Sequence, residues 1–227
     1  MAEGFYARRG KRWLDLAAAA LLLAALSPVL AGVAALVRLV LGPGVLFRQE
    51  RAGRGGLPFT LFKFRSMRAP RYPGEPDAAR LTRFGRLLRA SALDEVPQLA
   101  NVLRGEMSLV GPRPLPVDYL PRYTPRQAER LRVRPGLAGL AQARGRNAVP
   151  WPARLEWDAR YAGRVTLGGD LAALLGTLRV LLSGRGVSAP GHATMPELPS
   201  RVSGAPGRGR RGVKTGAGRR RMGSSRG

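Results

Sequence analysis

The chain has no cysteine and a single histidine, His192, in 227 residues. Without a thiol, neither a disulfide framework nor a thiolate metal site can form. With one imidazole, in a Gly/Pro-rich stretch, a His-based zinc centre lacks ligands and a Ser-His-Asp triad would have to draw on the tail. Acids are scarce too: 14 Asp and Glu stand against 39 Lys and Arg, a formal charge of +25. Acid–base, nucleophilic or metal chemistry must therefore rest on a few carboxylates, Tyr or Lys. So large a positive excess expects an anionic partner, whether nucleic acid, anionic lipid or a phosphorylated substrate. Residues 184–227 hold ten Lys/Arg and one acid, and the rest is still basic, with 29 against 13. That tail has too few large apolar residues to bury a core and is expected to be disordered.

What the chain does have is one long apolar run, residues 13–40, whose only charges are Asp15 and Arg38. It is long enough to span a bilayer as a helix and too long for a secretory signal. Ser27-Pro28 falls at its middle, where Pro forfeits a helical hydrogen bond and Ser can satisfy the freed carbonyl. Both flanks are basic: Arg8, Arg9, Lys11 and Arg12 before it, then Arg38, Arg48, Arg51 and Arg54 after it. Basic flanks stay on the cytoplasmic side of a membrane. From these residues a re-entrant helix, a spanning helix and a buried core helix all stay open. The paired flanks favour the first, a helix–break–helix at Ser27 and Pro28.

The remainder reads as a small α+β domain, predominantly helical, over residues 41–183, after a basic segment 1–12 and the membrane helix 13–40. Short β-prone runs at 45–47 and 59–62, separated by a Gly-rich turn, predict a hairpin. Lys63-Phe64-Arg65-Ser66-Met67 alternates basic with apolar residues, which sets Lys63 and Arg65 on one face of a strand. Residues 69–79 read as a Pro-rich loop. From 80 to 93, arginines at 80, 83, 86 and 89 fall on one stripe beside leucines, the pattern of a basic amphipathic helix at an anionic membrane surface. Adjacent carboxylates, Asp94 and Glu95, follow it. A lone pair of this kind is most often a surface salt-bridge patch. Among arginines, however, carboxylates suit metal-assisted phosphoryl transfer. Gly111-Pro112-Arg113-Pro114 is a rigid turn presenting one Arg to phosphate. Helices are expected at 118–134, 153–163 and 170–183, with Gln142, Arg144, Arg146 and Asn147 as candidate binders in the Gly-rich stretch between the first two.

In order, these motifs are Lys11-Arg12-x-x-Asp15, Ser27-Pro28, Lys63-Phe64-Arg65-Ser66-Met67, Thr82-Arg83-x-Gly85-Arg86-x-Leu88-Arg89, Leu93-Asp94-Glu95-x-Pro97-Gln98-Leu99, Met107 through Pro114, and Gly145-Arg146-Asn147. The set, spanning roughly residues 11–183, resembles the bacterial sugar transferases, monotopic phosphoglycosyl transferases in their minimal single-domain form. The resemblance implies transfer of a sugar 1-phosphate from a UDP-sugar to undecaprenyl phosphate, releasing UMP and initiating glycan assembly. It makes Asp94 the nucleophile of a covalent intermediate and Glu95 the ligand of Mg²⁺. Lys63, Arg65, Arg89, Arg113 and Arg146 become phosphate contacts, and Gln142, Asn147 and Asp170 nucleotide or sugar contacts. The implied setting is the cytoplasmic face of the bacterial inner membrane. UDP-sugar, undecaprenyl phosphate and the membrane are its partners, a homodimer is allowed, and nucleic acid is not expected. Ala92, Glu106, Ala138, Leu140 and Arg144 depart from the family pattern. The competing reading is a membrane-tethered basic scaffold without chemistry.

Overall fold

The computed structural model describes residues 4–184, Gly186 and residues 195–199. A π-helical turn, Tyr6–Gly10, leads into α1, Lys11–Leu41. Alanine and leucine, the strongest helix formers, carry α1 for 31 residues, about 46 Å at 1.5 Å per residue. The helix runs through Pro28 without interruption. Pro28 cannot donate to the Ala24 carbonyl, and Ser27 Oγ donates to that oxygen instead at 2.8 Å. The expected break is thus a repaired hydrogen bond inside one helix. At the far end, the Arg65 guanidinium donates to the carbonyls of Leu41, Gly42 and Pro43, covering the orphan acceptors of the last turn.

The hairpin forms as expected but longer: β1, Leu46–Ala52, pairs antiparallel with β2, Pro58–Phe64, around a turn at Arg54–Gly56. Its register places Phe47 opposite Lys63, Gln49 opposite Leu61 and Arg51 opposite Phe59. These six share one face by the period of two. The stretch 80–93 is not one helix. Two short helices, α2 at Asp77–Arg80 and α3 at Arg83–Ala90, are separated where Thr82 takes up extended backbone to cap α3. Arg80 turns back to the Arg68 carbonyl, so the four-arginine stripe is split. A 3₁₀ turn, Leu93–Gln98, then carries the acid pair into α4, Leu99–Arg104.

The second sheet went unread in the sequence, because three-residue strands carry no period. β3, Ser108–Val110, lies parallel to β4, Gly136–Ala138. Between them, the expected helix at 118–134 is broken by Pro121 and Pro125. It resolves into 3₁₀ turns around α5, Pro125–Ala128. Two long helices close the domain: α6, Trp151–Gly163, and α7, Leu167–Leu182. A side chain at Gly136 would meet Gly111 N at 2.0 Å, so only glycine lets the two strands lie this close. That approach pins the Gly111-Pro112-Arg113 turn, with Gly136 N donating to the Pro112 carbonyl at 2.9 Å.

Both ends of α1 pack on this one domain. Near its N-terminus, Ala19 joins a core of Phe59, Leu61, Leu99, Val102 and Met107. Toward its C-terminus, Val33, Val37 and Leu41 pack with Phe64 and Leu88. Ser27 and Pro28 are exposed, while Leu23 and Leu30 on either side of them pack against these two cores. Asp15, buried, accepts from Ser108 Oγ at 2.7 Å and Leu109 N at 3.1 Å, fixing α1 to β3. A buried carboxylate needs such donors.

Candidate active site

A cavity of about 650 Å³ opens between the hairpin face, the 3₁₀ turn of the acid pair and α6. Nine Lys and Arg side chains line it against Asp77, Asp94 and Glu95, a balance that calls for an anion of several charges. Of the expected site residues, Lys63, Arg65, Arg89, Asp94, Glu95, Arg113, Arg146 and Asn147 all line this cavity.

Asp94 is buried, 4% exposed, and no described side chain donates to its carboxylate. Burial and the adjacent Glu95 push its pKa up to about 6, against the pull of Lys63, Arg113 and Arg89. For Glu95, burial also disfavours the charge. The Arg113 guanidinium outweighs it by ion pairing and by a fork of two hydrogen bonds, so Glu95 stays ionised, well below the usual range. The backbone is strained here as well. Ala92, two residues before Asp94, and Arg146 are the non-glycine residues with positive φ among the described residues, at 56° and 51°. Strain of this kind gathers at functional sites.

Each cation is placed by its element. Lys63 sits on β2 over the Phe47 ring at 5.1 Å, and burial lowers its pKa. Arg89 is aimed by α3, its Nε donating to Ser66 Oγ at 2.8 Å. Gly85 permits this, since a Cβ there would strike the Ser66 carbonyl at 1.8 Å. Arg113 is held from behind. Arg130 donates to the Arg113 carbonyl at 2.5 Å while its guanidinium pairs with buried Asp158. Asn101, fully buried, links α4 to β2 by donating to Thr60 O and accepting from Phe62 N, with Glu106 as its third partner. The departure at Glu106 thus supplies a structural acceptor.

Three expected contacts have other surroundings. Arg65 lines the cavity, but its guanidinium caps α1. Gln142 is buried and donates to the Leu137 carbonyl, away from the cavity lining. Asp170 is also buried elsewhere. It accepts from Tyr6 Oη at 2.6 Å, from Lys11 Nζ at 2.6 Å and from Tyr161 Oη at 2.8 Å. That cluster ties the start of α1 to α6 and α7. The tail is outside the described residues except at Gly184, Gly186 and residues 195–199, and those last five are not loose. Leu198 is buried among Leu115, Tyr119 and Trp151, and Met195 and Pro196 line the cavity.

Sequence reasoning passed over Arg51 and Arg154, which also line the cavity. Arg51 was read as a membrane flank, yet the period of two through Phe47, Gln49 and Arg51 marks it as a hairpin-face residue. Arg154 sits with Trp151, Leu155, Asp158 and Ala159 on the buried stripe of α6. Charges on an apolar stripe were the available signal.

A buried carboxylate beside a fixed carboxylate–guanidinium pair, walled by cations, makes a site suited to phosphoryl transfer. Similarity to known proteins agrees. The chain belongs to the bacterial sugar transferase family, whose sequence model matches residues 6–184. It is therefore a phosphoglycosyl transferase. It is 47% identical over 187 residues to the uncharacterized sugar transferase EpsL of Bacillus subtilis, covering 81% of this chain and 93% of that one. It is 44% identical over 188 residues to the UDP-glucose:undecaprenyl-phosphate glucose-1-phosphate transferase of Caulobacter vibrioides, covering 76% and 70%. With the undecaprenyl-phosphate galactose phosphotransferase of Salmonella typhimurium it shares 36% identity over 192 residues, 76% of this chain and 40% of that protein.

Proposed function

We propose that this enzyme transfers a sugar 1-phosphate from a UDP-sugar to undecaprenyl phosphate, releasing UMP, and so initiates assembly of a bacterial glycan. An Asp94 oxygen attacks the sugar-bearing phosphorus. An O–P bond forms, the phosphoanhydride bond breaks, and its electron pair leaves with the UMP phosphate. An oxygen of undecaprenyl phosphate then attacks the same phosphorus and expels the Asp94 carboxylate, leaving a polyprenyl diphosphate sugar. Arg113 and Lys63 face the charge on the transferred group. The observation that carries this reading is the buried, high-pKa Asp94 among cations. A tether without chemistry has no reason to bury a carboxylate at such cost.

The donor set fits Mg²⁺. Hard carboxylate oxygens suit it, and the Arg113 fork uses one lone pair on each Glu95 oxygen, leaving the second. Among the described residues no group of three acids or imidazoles forms a full cage, so substrate phosphates and water would complete the shell. Held at Glu95, the ion would supply charge neutralisation to the pyrophosphate.

For the membrane, the helix is long and apolar enough to cross a bilayer, the only such helix among the described residues. Both halves of the helix rest on one domain, with Leu23 and Leu30 packed on either side of the exposed Ser27 and Pro28. With basic residues on both flanks of α1, this supports both of its ends lying on the cytoplasmic face of the inner membrane, where soluble donor and lipid acceptor meet.

The test is UMP release by detergent-solubilised enzyme given Mg²⁺, undecaprenyl phosphate and a panel of UDP-sugars. One or a few sugars should support turnover, and Asp94→Asn should lower it by about 10³-fold or more. Turnover that survives Asp94→Asn would remove the covalent route.

A further inference from the structure

Buried guanidinium groups normally face carboxylates. In this protein Arg113 has Glu95 and Arg130 has Asp158. Arg51 and Arg154 have none: among the described residues neither makes an ion pair. Arg51 donates to Gln49 Oε1 at 2.6 Å and to the Pro114 carbonyl at 3.5 Å; Arg154, over the Trp151 ring at 5.2 Å, donates to the Arg146 carbonyl and, at 3.4 Å, to Asn147 Oδ1. Each keeps a buried Nε without a partner, as Arg146 does at Nη1, and all three residues line the same cavity. Orphaned buried donors are costly and uncommon in folded proteins. Burial and the nearby Arg113 depress the pKa of both Arg51 and Arg154 to about 10. Two cations crowded against a third, with open donors, await an anion.

This end of the cavity is also its aromatic end. Trp151 packs edge-on to Tyr119 at 5.9 Å, and both line the space. Met195 and Pro196 wall it: Trp151 Nε1 donates to the Pro196 carbonyl at 3.1 Å, and Arg122 anchors the segment through the Leu198 carbonyl. Residues 195–199 lie beyond the part of the chain that matches the family, 6–184.

We propose that Arg51 and Arg154, with Trp151 and the wall of Met195 and Pro196, form the subsite for the nucleoside monophosphate half of the donor. The inference rests on the reaction proposed above. Attack by Asp94 sends the leaving phosphate to the opposite side of the phosphorus. Arg113, which pairs with the acid beside Asp94, acts on both Arg51 and Arg154, and all of them line the one cavity that the leaving phosphate has to occupy. A phosphate ester could come from the nucleotide or from the lipid. The nucleotide brings a flat ring to the aromatic wall, whereas the lipid brings an apolar chain that belongs beside α1.

The experiment is titration of the full-length solubilised protein with UMP and, separately, with farnesyl phosphate as a soluble lipid-phosphate probe. Arg51→Gln and Arg154→Gln should each weaken UMP by about tenfold or more, as expected for losing a charged hydrogen-bond fork. Each should raise the donor KM and change farnesyl phosphate affinity less than about twofold, as that probe makes no use of the fork. A measurement on the unsubstituted chain guards against misfolded variants: UMP should perturb the emission of Trp151, identified by its loss in Trp151→Phe. UMP affinity unchanged in both variants, an equal loss for farnesyl phosphate, or a silent Trp151 would overturn the subsite. If turnover depends on Asp94 while UMP binding ignores both arginines, the subsite falls alone. If UMP binds as expected while turnover survives Asp94→Asn, the reaction falls and the subsite stands.

Discussion

Asp94 and Glu95 are neighbours in the chain, yet their surroundings drive their ionisation apart. Glu95 is clasped by Arg113 and stays charged, while Asp94 is buried without a clasp and rises to about 6. The fixed charge holds the arginine in place, and the higher-pKa carboxylate is the better nucleophile once ionised. A pH dependence follows. In the proposed reaction only ionised Asp94 attacks, so the rate of the first half-reaction should fall about tenfold per pH unit below about 6. A single-turnover pH profile checks this; a rate that stays flat to about pH 5, as an ordinary aspartate near 4 would give, contradicts it. At this scale much was legible. The acid pair, Lys63, Arg89 and Arg113 were nameable from local motifs, and all border one cavity. Arg65 and Asp170 were not placeable, because the role of a charge depends on distant partners. Asp170 meets Tyr6 across 164 positions, and nothing near position 170 announces it.

Elements place these residues through a few polar ties. The Asp170 cluster joins α1, α6 and α7, and Tyr161 also approaches the Val110 carbonyl at 2.9 Å, next to the Gly111-Pro112-Arg113 turn. Asp170→Ala would leave the Tyr6 hydroxyl without its acceptor, Tyr161 with the Val110 carbonyl alone and Lys11 with only Asp15 at 3.7 Å, costing roughly 2–4 kcal/mol. The expected signature is a lowered Tm with donor KM unchanged in the fraction that remains folded. A raised donor KM at unchanged Tm would return Asp170 to the role of substrate contact. The long elements were legible because periodicity needs length: α1, the hairpin, α6 and α7 all stand near their expected places. The 3₁₀ turns and the β3–β4 pair were not, since prolines at 121 and 125 break the helical pattern and a parallel pair of three-residue strands has too few positions to alternate.

At the scale of the whole molecule, a strongly basic domain sits against one long apolar helix whose two ends it holds. The sites near Arg8 and Arg48 lie on the two flanks of that helix and are both exposed. Because the chain has no native cysteine, single cysteines at these positions can be labelled cleanly. Both should be protected from an impermeant reagent in intact cells and reactive after lysis. Labelling of one alone in intact cells would show a spanning helix. Both ends on one face would bring a soluble donor and a lipid acceptor to a single cavity, as the proposed transfer through one nucleophile requires.

That nucleophile is the central claim, and a burst experiment reaches it most directly. Enzyme mixed with Mg²⁺ and its UDP-sugar, without any lipid phosphate, should release about one equivalent of UMP per enzyme and stop, as a stalled covalent intermediate must. Intact-mass analysis should show the chain heavier by one sugar phosphate, with both signals absent in Asp94→Asn. No UMP without lipid, and no mass gain, would mean direct transfer between substrates and would contradict an intermediate on Asp94.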